Sequence, residues 1–319
     1  MNTPAQPSYR IPHAKGPRLG ARVEGPASLV RALLLYAGYG TKPHFLILGA
    51  QKAGTTALFS YLARHPQIAA PGRKEIGLFC PEVFLDLPTH KSHDILCGDG
   101  DVYRPLASRR KRAWYHAHFP LPHRLAGRLT FEAMPEYLYL SAAAARIHAY
   151  EPRMKLVVLL REPADRAFSA WNMYSSYGQP PSGVYARRRE TRTFSDAVEM
   201  EFAEISRGTA APFPGYVQRG LYAEQLERYI ELFANEQILV LDSDALAADT
   251  RATVNRVLAF LGLVPFPDRE PEWPREHVGD YGDTCADELP TIERLREFYA
   301  PHNERLRILL DQPPAWLLA

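Results

Sequence analysis

Cysteine is scarce in this sequence, and what is missing sets the first limits. Cys80, Cys97 and Cys285 are the 3 cysteines among 319 residues. None stands at metal or redox spacing from another, and an odd number does not make a disulfide framework. A reducing, cytoplasmic setting is the expectation, with a Cys80–Cys97 pairing left open. No apolar run approaches the roughly 18 residues of a membrane-spanning helix. The best candidate, Ala32–Tyr39 (ALLLYAGY), follows a basic stretch but precedes no small-residue cleavage site. It reads as a short docking helix, with weak surface association through residues 28–40 as the other reading. An excess of one charge is also missing: 38 Lys and Arg stand against 36 Asp and Glu, a net charge of +2. That balance argues against a protein whose main business is coating nucleic acid, while leaving room for local basic grooves. There is no internal repeat.

What is present is globular, with 46% apolar and 23% charged residues. The chain is long enough for one large α/β domain or two ordinary ones. Residues 1–42 read as an N-terminal tail with a short helix, and residues 43–319 as a single domain. His44–Leu48 (HFLIL) reads as a strand, followed by a Gly-containing turn and a helix over Ala57–Arg64. The same grammar returns at Lys155–Leu160 (KLVVLL), broken by Arg161-Glu162-Pro163 and continued by a helix over Ala164–Tyr174. A helix over Tyr222–Phe233 leads to a third strand, Gln237–Leu241, then helices over Thr250–Leu261 and Leu289–Leu310. Strand, turn and helix in alternation predict a three-layer α/β fold around a parallel sheet. The long irregular stretch 71–128 has the character of a functional region.

The segment Gly49-Ala50-Gln51-Lys52-Ala53-Gly54-Thr55-Thr56 lies between a strand and a helix. Small residues let backbone amides close on an anion, and a helix N-terminus adds partial positive charge. Lys52 adds a full charge, and Thr55 and Thr56 add hydroxyl donors. A nucleoside-triphosphate loop puts Lys directly after its last Gly. Here Lys52 precedes Gly54, so the loop is a poor magnesium-triphosphate site.

FLILGAQKAGTTAL resembles the 5′-phosphosulfate loop of sulfotransferases that use 3′-phosphoadenosine-5′-phosphosulfate (PAPS). It is most similar to that of the glycan-type heparan sulfate enzymes and their bacterial relatives. The resemblance implies a P-loop-like sulfotransferase fold with PAPS as cosubstrate and no metal. Lys52 would reach the oxygen bridging sulfate and phosphate. Gly54, Thr55 and Thr56 would hold the 5′-phosphate, with Gln51 and Ala53 in the same loop. LLREPADRAFSAW, Leu159–Trp171, resembles the family's 3′-phosphate signature, assigning that role to Arg161 and Ser169. An Arg fork and a hydroxyl suit a terminal phosphate. The likeness continues through GLYAEQLERYIELFANEQILVLDSDAL. There Tyr222 either approaches the nucleotide or packs in the core.

On the acceptor side, Lys74-Glu75 in PGRKEIGLF occupies the place of the family's Lys-Glu pair, which makes Glu75 the leading catalytic base. FEAMPEYL resembles the next landmark, but Ala133 stands where the animal enzymes carry Lys. Glu132 remains as a second catalytic carboxylate or a structural partner at a strand end. The stretch His277–Pro290 holds no Lys or Arg, where the animal enzymes close a basic loop over the 3′-phosphate. His116 and His118 in WYHAHFP would share one side of a strand. Two His without a third ligand do not make a metal site, and His116 stays as an alternative base. Arg109–Arg112 and Arg187–Arg189 are solvated faces unless they rim the cleft, where they would grip an anionic acceptor. The implied reaction is sulfuryl transfer to a hydroxyl or amine of a carbohydrate, glycolipid or glycosylated natural product, without nucleic acid as a partner. The rivals are a P-loop kinase using Asp242 for magnesium and a non-catalytic phosphoadenosine binder.

Overall fold

The computed structural model describes residues 26–81, 108–177, 188–208, 214–266, 273 and 287–318. Cys97, Cys285, Arg187 and most of the His277–Pro290 stretch lie outside them. So the Cys80–Cys97 pairing and the missing basic loop stay as sequence expectations.

Four strands form one parallel sheet: β1 (Phe45–Gly49), β2 (Phe131–Ala133), β3 (Lys155–Leu160) and β4 (Ile238–Asp242), in the order β2-β1-β3-β4. Every residue of β1 and all but the first of β3 are buried. A parallel sheet is covered on both faces, so its strands are continuous apolar runs rather than alternating ones. That is why FLILG and KLVVLL stand out in the sequence. The register is set by Phe45 opposite both Phe131 and Lys155, with the Phe45 and Phe131 rings stacked 4.9 Å apart.

Helices of eight residues or more are numbered here: α1 (Pro26–Tyr36), α2 (Thr55–Leu62), α3 (Arg109–His116), α4 (Ser141–Tyr150), α5 (Pro163–Ser175), α6 (Phe194–Ser206), α7 (Tyr222–Ile230), α8 (Thr250–Leu261) and α9 (Leu289–Leu309). α2 and α8 pack together and on the sheet, whereas α4 and α7 pack together with the short helix Glu136–Tyr139 that lies on β1. This is the expected three-layer α/β architecture. α2 starts two residues before the sequence expectation, because Gly54 turns the chain directly into it. α1 starts at Pro26 rather than Ala32, with Pro at the first helical position, where a missing N–H costs nothing.

From β1 the chain passes out to β2 and then crosses back over β1 to β3. The carboxyl end of β1 is therefore a topological switch point, where neighbouring loops diverge and leave a crevice. The phosphate loop leaves β1 there, and Arg161 leaves β3 beside it.

Candidate active site

The loop after β1 is held from three sides. Its Ala50 amide donates to Leu159 O on β3 at 2.6 Å, and Gln51 Nε2 donates to the Tyr174 hydroxyl on α5 at 3.0 Å. A Cβ on Gly49, at φ 148°, would meet Pro135 O at 2.9 Å, so the exit from β1 requires glycine. Lys52 sits at φ 68°, and Gly54 at φ 96° is the N-cap of α2. Gly54 has no side chain to cap the first-turn amides. By contrast α5, α6 and α8 are capped by Glu162, Thr193 and Asp249. Uncapped amides beside Lys52, Thr55 and Thr56 suit a phosphate oxygen, so the residues present fit the implied nucleotide.

Arg161 extends from β3 toward this loop, its Nη1 donating to Lys52 O at 3.5 Å. Neither neighbouring carboxylate takes its guanidinium. Glu162 accepts from the Ala164 and Asp165 amides at 3.1 and 2.7 Å, and Asp165 pairs with Arg296 at 3.1 Å. Ser169 lies on the buried side of α5. Tyr222 is buried, as the core-packing alternative expects, and its hydroxyl donates to Arg161 O at 3.0 Å. It braces the strand end that carries Arg161. Sequence reasoning missed Arg166, which is fully buried and donates to Tyr216 O, while its Nε and Nη1 have no hydrogen-bond partner. The signal was available, since Arg166 falls in phase with Pro163, Ala167, Ala170 and Tyr174 on the inner stripe of α5.

The third component runs along β2, on the other side of β1. The Glu75 amide donates to Ala133 O at 3.1 Å, which brings Glu75 to the carboxyl end of β2. Its side chain is 50% exposed, paired with Lys74 Nζ at 2.6 Å, and its backbone is left-handed at φ 60°. Lys52 and Glu75 are thus two of three non-glycine residues with positive φ among the described residues. Such strain clusters at functional sites because the surroundings must hold it. Glu132 differs entirely. It is 0% exposed, accepting from Tyr115 Oη at 2.6 Å, Tyr137 Oη at 2.9 Å and the Gly77 amide at 2.7 Å. Burial raises its pKa, against the pull of these hydrogen bonds. No oxygen of Glu132 is open to an acceptor. It clamps the Glu75 loop to β2, the structural alternative left open in the sequence.

His116 and the basic run lie elsewhere. His116 ends α3, so it does not share a strand face with His118, and its Nε2 lies 2.7 Å from the Tyr150 hydroxyl. Tyr150 precedes β3, which puts the pair at the amino edge of the sheet, opposite the loops. Burial, with Lys42 and Arg112 nearby, lowers the His116 pKa to about 4. Arg109–Arg112 belong to the same helix and do not rim the carboxyl-edge crevice. Asp242, the residue a kinase would need, spends Oδ1 on the Asp244 amide at 2.8 Å and Oδ2 on the Ala315 amide at 3.0 Å. Among the described residues no three His, Cys, Asp or Glu gather at metal-holding distance.

The loop spacing and the engaged Asp242 separate this protein from magnesium-triphosphate kinases. What they leave is an α/β fold with Lys52, Arg161 and the uncapped amides of α2 gathered at the carboxyl edge of its sheet. Within that class the chain belongs to the sulfotransferase domain family, whose profile matches residues 42–270. It is 26% identical over 298 residues to the Mus musculus bifunctional heparan sulfate N-deacetylase/N-sulfotransferase 4, across 86% of this chain and 31% of that protein. To the Mus musculus heparan sulfate glucosamine 3-O-sulfotransferase 3A1 it is 28% identical, across 89% of this chain and 67% of the relative. The chain therefore spans about a third of the bifunctional relative's length and two thirds of the other's. A crystal structure of a sulfotransferase from Alicyclobacillus acidocaldarius superposes with a TM-score of 0.61 at 29% identity, covering 88% of this chain and all of that one. The resemblance seen in the sequence motifs and the fold class both hold.

Proposed function

We propose that this protein moves the sulfuryl group of PAPS to a hydroxyl or amine of a carbohydrate acceptor. The observation that carries the reading is the meeting of the Lys52–Thr56 loop and Arg161 at adjacent strand ends, with 3.5 Å between Arg161 Nη1 and Lys52 O. A nucleotide bearing phosphate at both 3′ and 5′ positions calls for two such anion sites. The heparan sulfate acceptors named for the relatives support a carbohydrate here.

PAPS supplies an activated sulfuryl group on a phosphate leaving group. Glu75 takes the proton from the acceptor hydroxyl or amine as its oxygen or nitrogen bonds to sulfur. The bond from sulfur to the 5′-phosphate oxygen breaks, and 3′,5′-adenosine bisphosphate leaves with the electron pair. Lys52 and the first-turn amides of α2 meet that developing charge, as preorganised donors do for other leaving groups. Arg161 and Ser169 hold the 3′-phosphate and thereby orient the nucleotide. Glu132 acts indirectly, by fixing the loop that carries Glu75.

The test is calorimetric titration with 3′,5′-adenosine bisphosphate against magnesium-ATP. The wild type is expected to bind the bisphosphate and discriminate against magnesium-ATP. Arg161→Ala is expected to raise the bisphosphate Kd by about 10- to 100-fold, the weight of a charge-assisted hydrogen bond. Preference for magnesium-ATP, or no binding of either, would sink the proposal.

A further inference from the structure

At the amino edge of the sheet, opposite the cosubstrate crevice, the structure holds a second concave site. It is a cavity of about 780 Å³ whose lining includes Lys42, Arg109, Arg112, Arg146, Tyr36 and Tyr150. That volume falls within the usual range for ligand-binding cavities. Lys42 pairs with Glu151 at 2.9 Å, but neither Arg109 nor Arg112 is ion-paired to a described residue. His116, also in the wall, is neutral near pH 7 with its pKa at about 4, so it adds polarity without charge.

Beside the cavity lies an apolar stripe. Leu29, Val30, Leu33 and Tyr36 share the outer face of α1 and, with the following Tyr39, are 42% to 61% exposed. The inner face is anchored, with Leu35 buried and Arg31 donating to Ala117 O and Phe119 O at 3.0 and 3.1 Å. The stripe is therefore held outward by a docked helix. Tyr36 belongs to both stripe and cavity wall, so apolar and cationic surfaces are continuous.

We propose that this face docks on an anionic lipid bilayer, with the α1 stripe in the headgroup–acyl boundary and lipid phosphates held at Arg109, Arg112 and Lys42. An apolar helix face flanked by Lys and Arg is the composition that interfacial helices use, each basic residue adding attraction to anionic headgroups. Charge disfavours the other occupants. Residues 1–25 carry Arg10, Lys15, Arg18 and Arg22 against Glu24 alone, so the preceding segment does not complement the cavity in charge. A two-fold pairing of chains through this face would set the Arg109 and Arg112 rim against its own copy. A sulfated polysaccharide would satisfy the arginines but leave the stripe in water. Docking at the amino edge turns the carboxyl-edge crevice away from the bilayer, toward an acceptor arriving from solution.

The experiment is co-sedimentation of the full chain with vesicles of phosphatidylcholine alone and of equal parts phosphatidylcholine and phosphatidylserine. The wild type is expected to pellet with the mixed vesicles, weakly with neutral ones, and less as salt rises. Leu33→Ser/Tyr36→Ser and Arg109→Glu/Arg112→Glu are each expected to lower the partition about tenfold. Retained bisphosphate binding shows that each variant is folded, and the salt dependence of the wild type is read without any variant. Equal pelleting with both vesicles, no pelleting with either, or full retention by the Leu33/Tyr36 variant overturns the proposal. Arg109-dependent binding of heparin without vesicle binding overturns it in favour of a glycan subsite. A dimer lost in the Leu33/Tyr36 variant, without vesicle binding, overturns it in favour of self-association.

Discussion

Glu75→Gln is expected to lower sulfuryl transfer to a glycan acceptor by about 10²- to 10⁴-fold, the usual weight of a general base. Bisphosphate affinity is expected to stay at the wild-type value. The amide keeps the size of the carboxylate but cannot take the acceptor proton. The substitution also breaks the contact with Lys74, yet the Glu75 side chain is 50% exposed and such pairs contribute about 0–1 kcal/mol to folding. Loss of activity would therefore not be loss of fold. Single-turnover measurement with saturating PAPS reads the chemical step directly. A variant that turns over like the wild type would move the base elsewhere. A wild type that binds bisphosphate and turns over no glycan, amine or phenol would restore the non-catalytic binder.

The readable parts of this fold were those whose constraints are local. FLILG and KLVVLL are apolar throughout because both faces of a parallel strand are covered. The phosphate loop was readable because its amides, Lys52 and Gly54 all lie within eight consecutive residues. β2 was not, being three residues long with Glu132 at its centre, and nothing in FEA reveals that Tyr115, Tyr137 and Gly77 converge on that carboxylate. The spacing of His116 and His118 in WYHAHFP suits one side of a strand, yet the preceding RRKRA forms the start of a helix that packs on α1 and ends at His116. His116 then meets Tyr150 across 34 residues of sequence, a contact no spacing rule contains. Tyr222 matched a family motif, but only the geometry shows its hydroxyl spent on a backbone carbonyl.

The same distinction gives the largest expected effect on stability, at Glu132. Glu132→Ala removes the acceptor of two buried tyrosine hydroxyls and one buried amide at once. A buried donor left unmade costs about 1–3 kcal/mol, and relief of the carboxylate's own desolvation offsets part of the sum. The expected loss is about 3–5 kcal/mol, or a Tm lower by on the order of 10 °C. Glu132→Gln keeps one acceptor oxygen and is expected to fall between the two. Because burial raises the folded-state pKa of Glu132, this group favours the folded state at low pH and that contribution is lost as pH rises through the raised value. The stability deficit of both variants is therefore expected to be largest at acid pH and to narrow as pH rises through the raised value. Hydrogen exchange at the Gly77 amide separates a clamp from a base. A clamp predicts faster exchange there and lower turnover in step with the lost stability, as Glu75 loses its position. A Glu132→Gln protein with wild-type Tm, wild-type exchange at Gly77 and turnover reduced by 10²-fold or more would instead make Glu132 a proton carrier, and the clamp would be wrong.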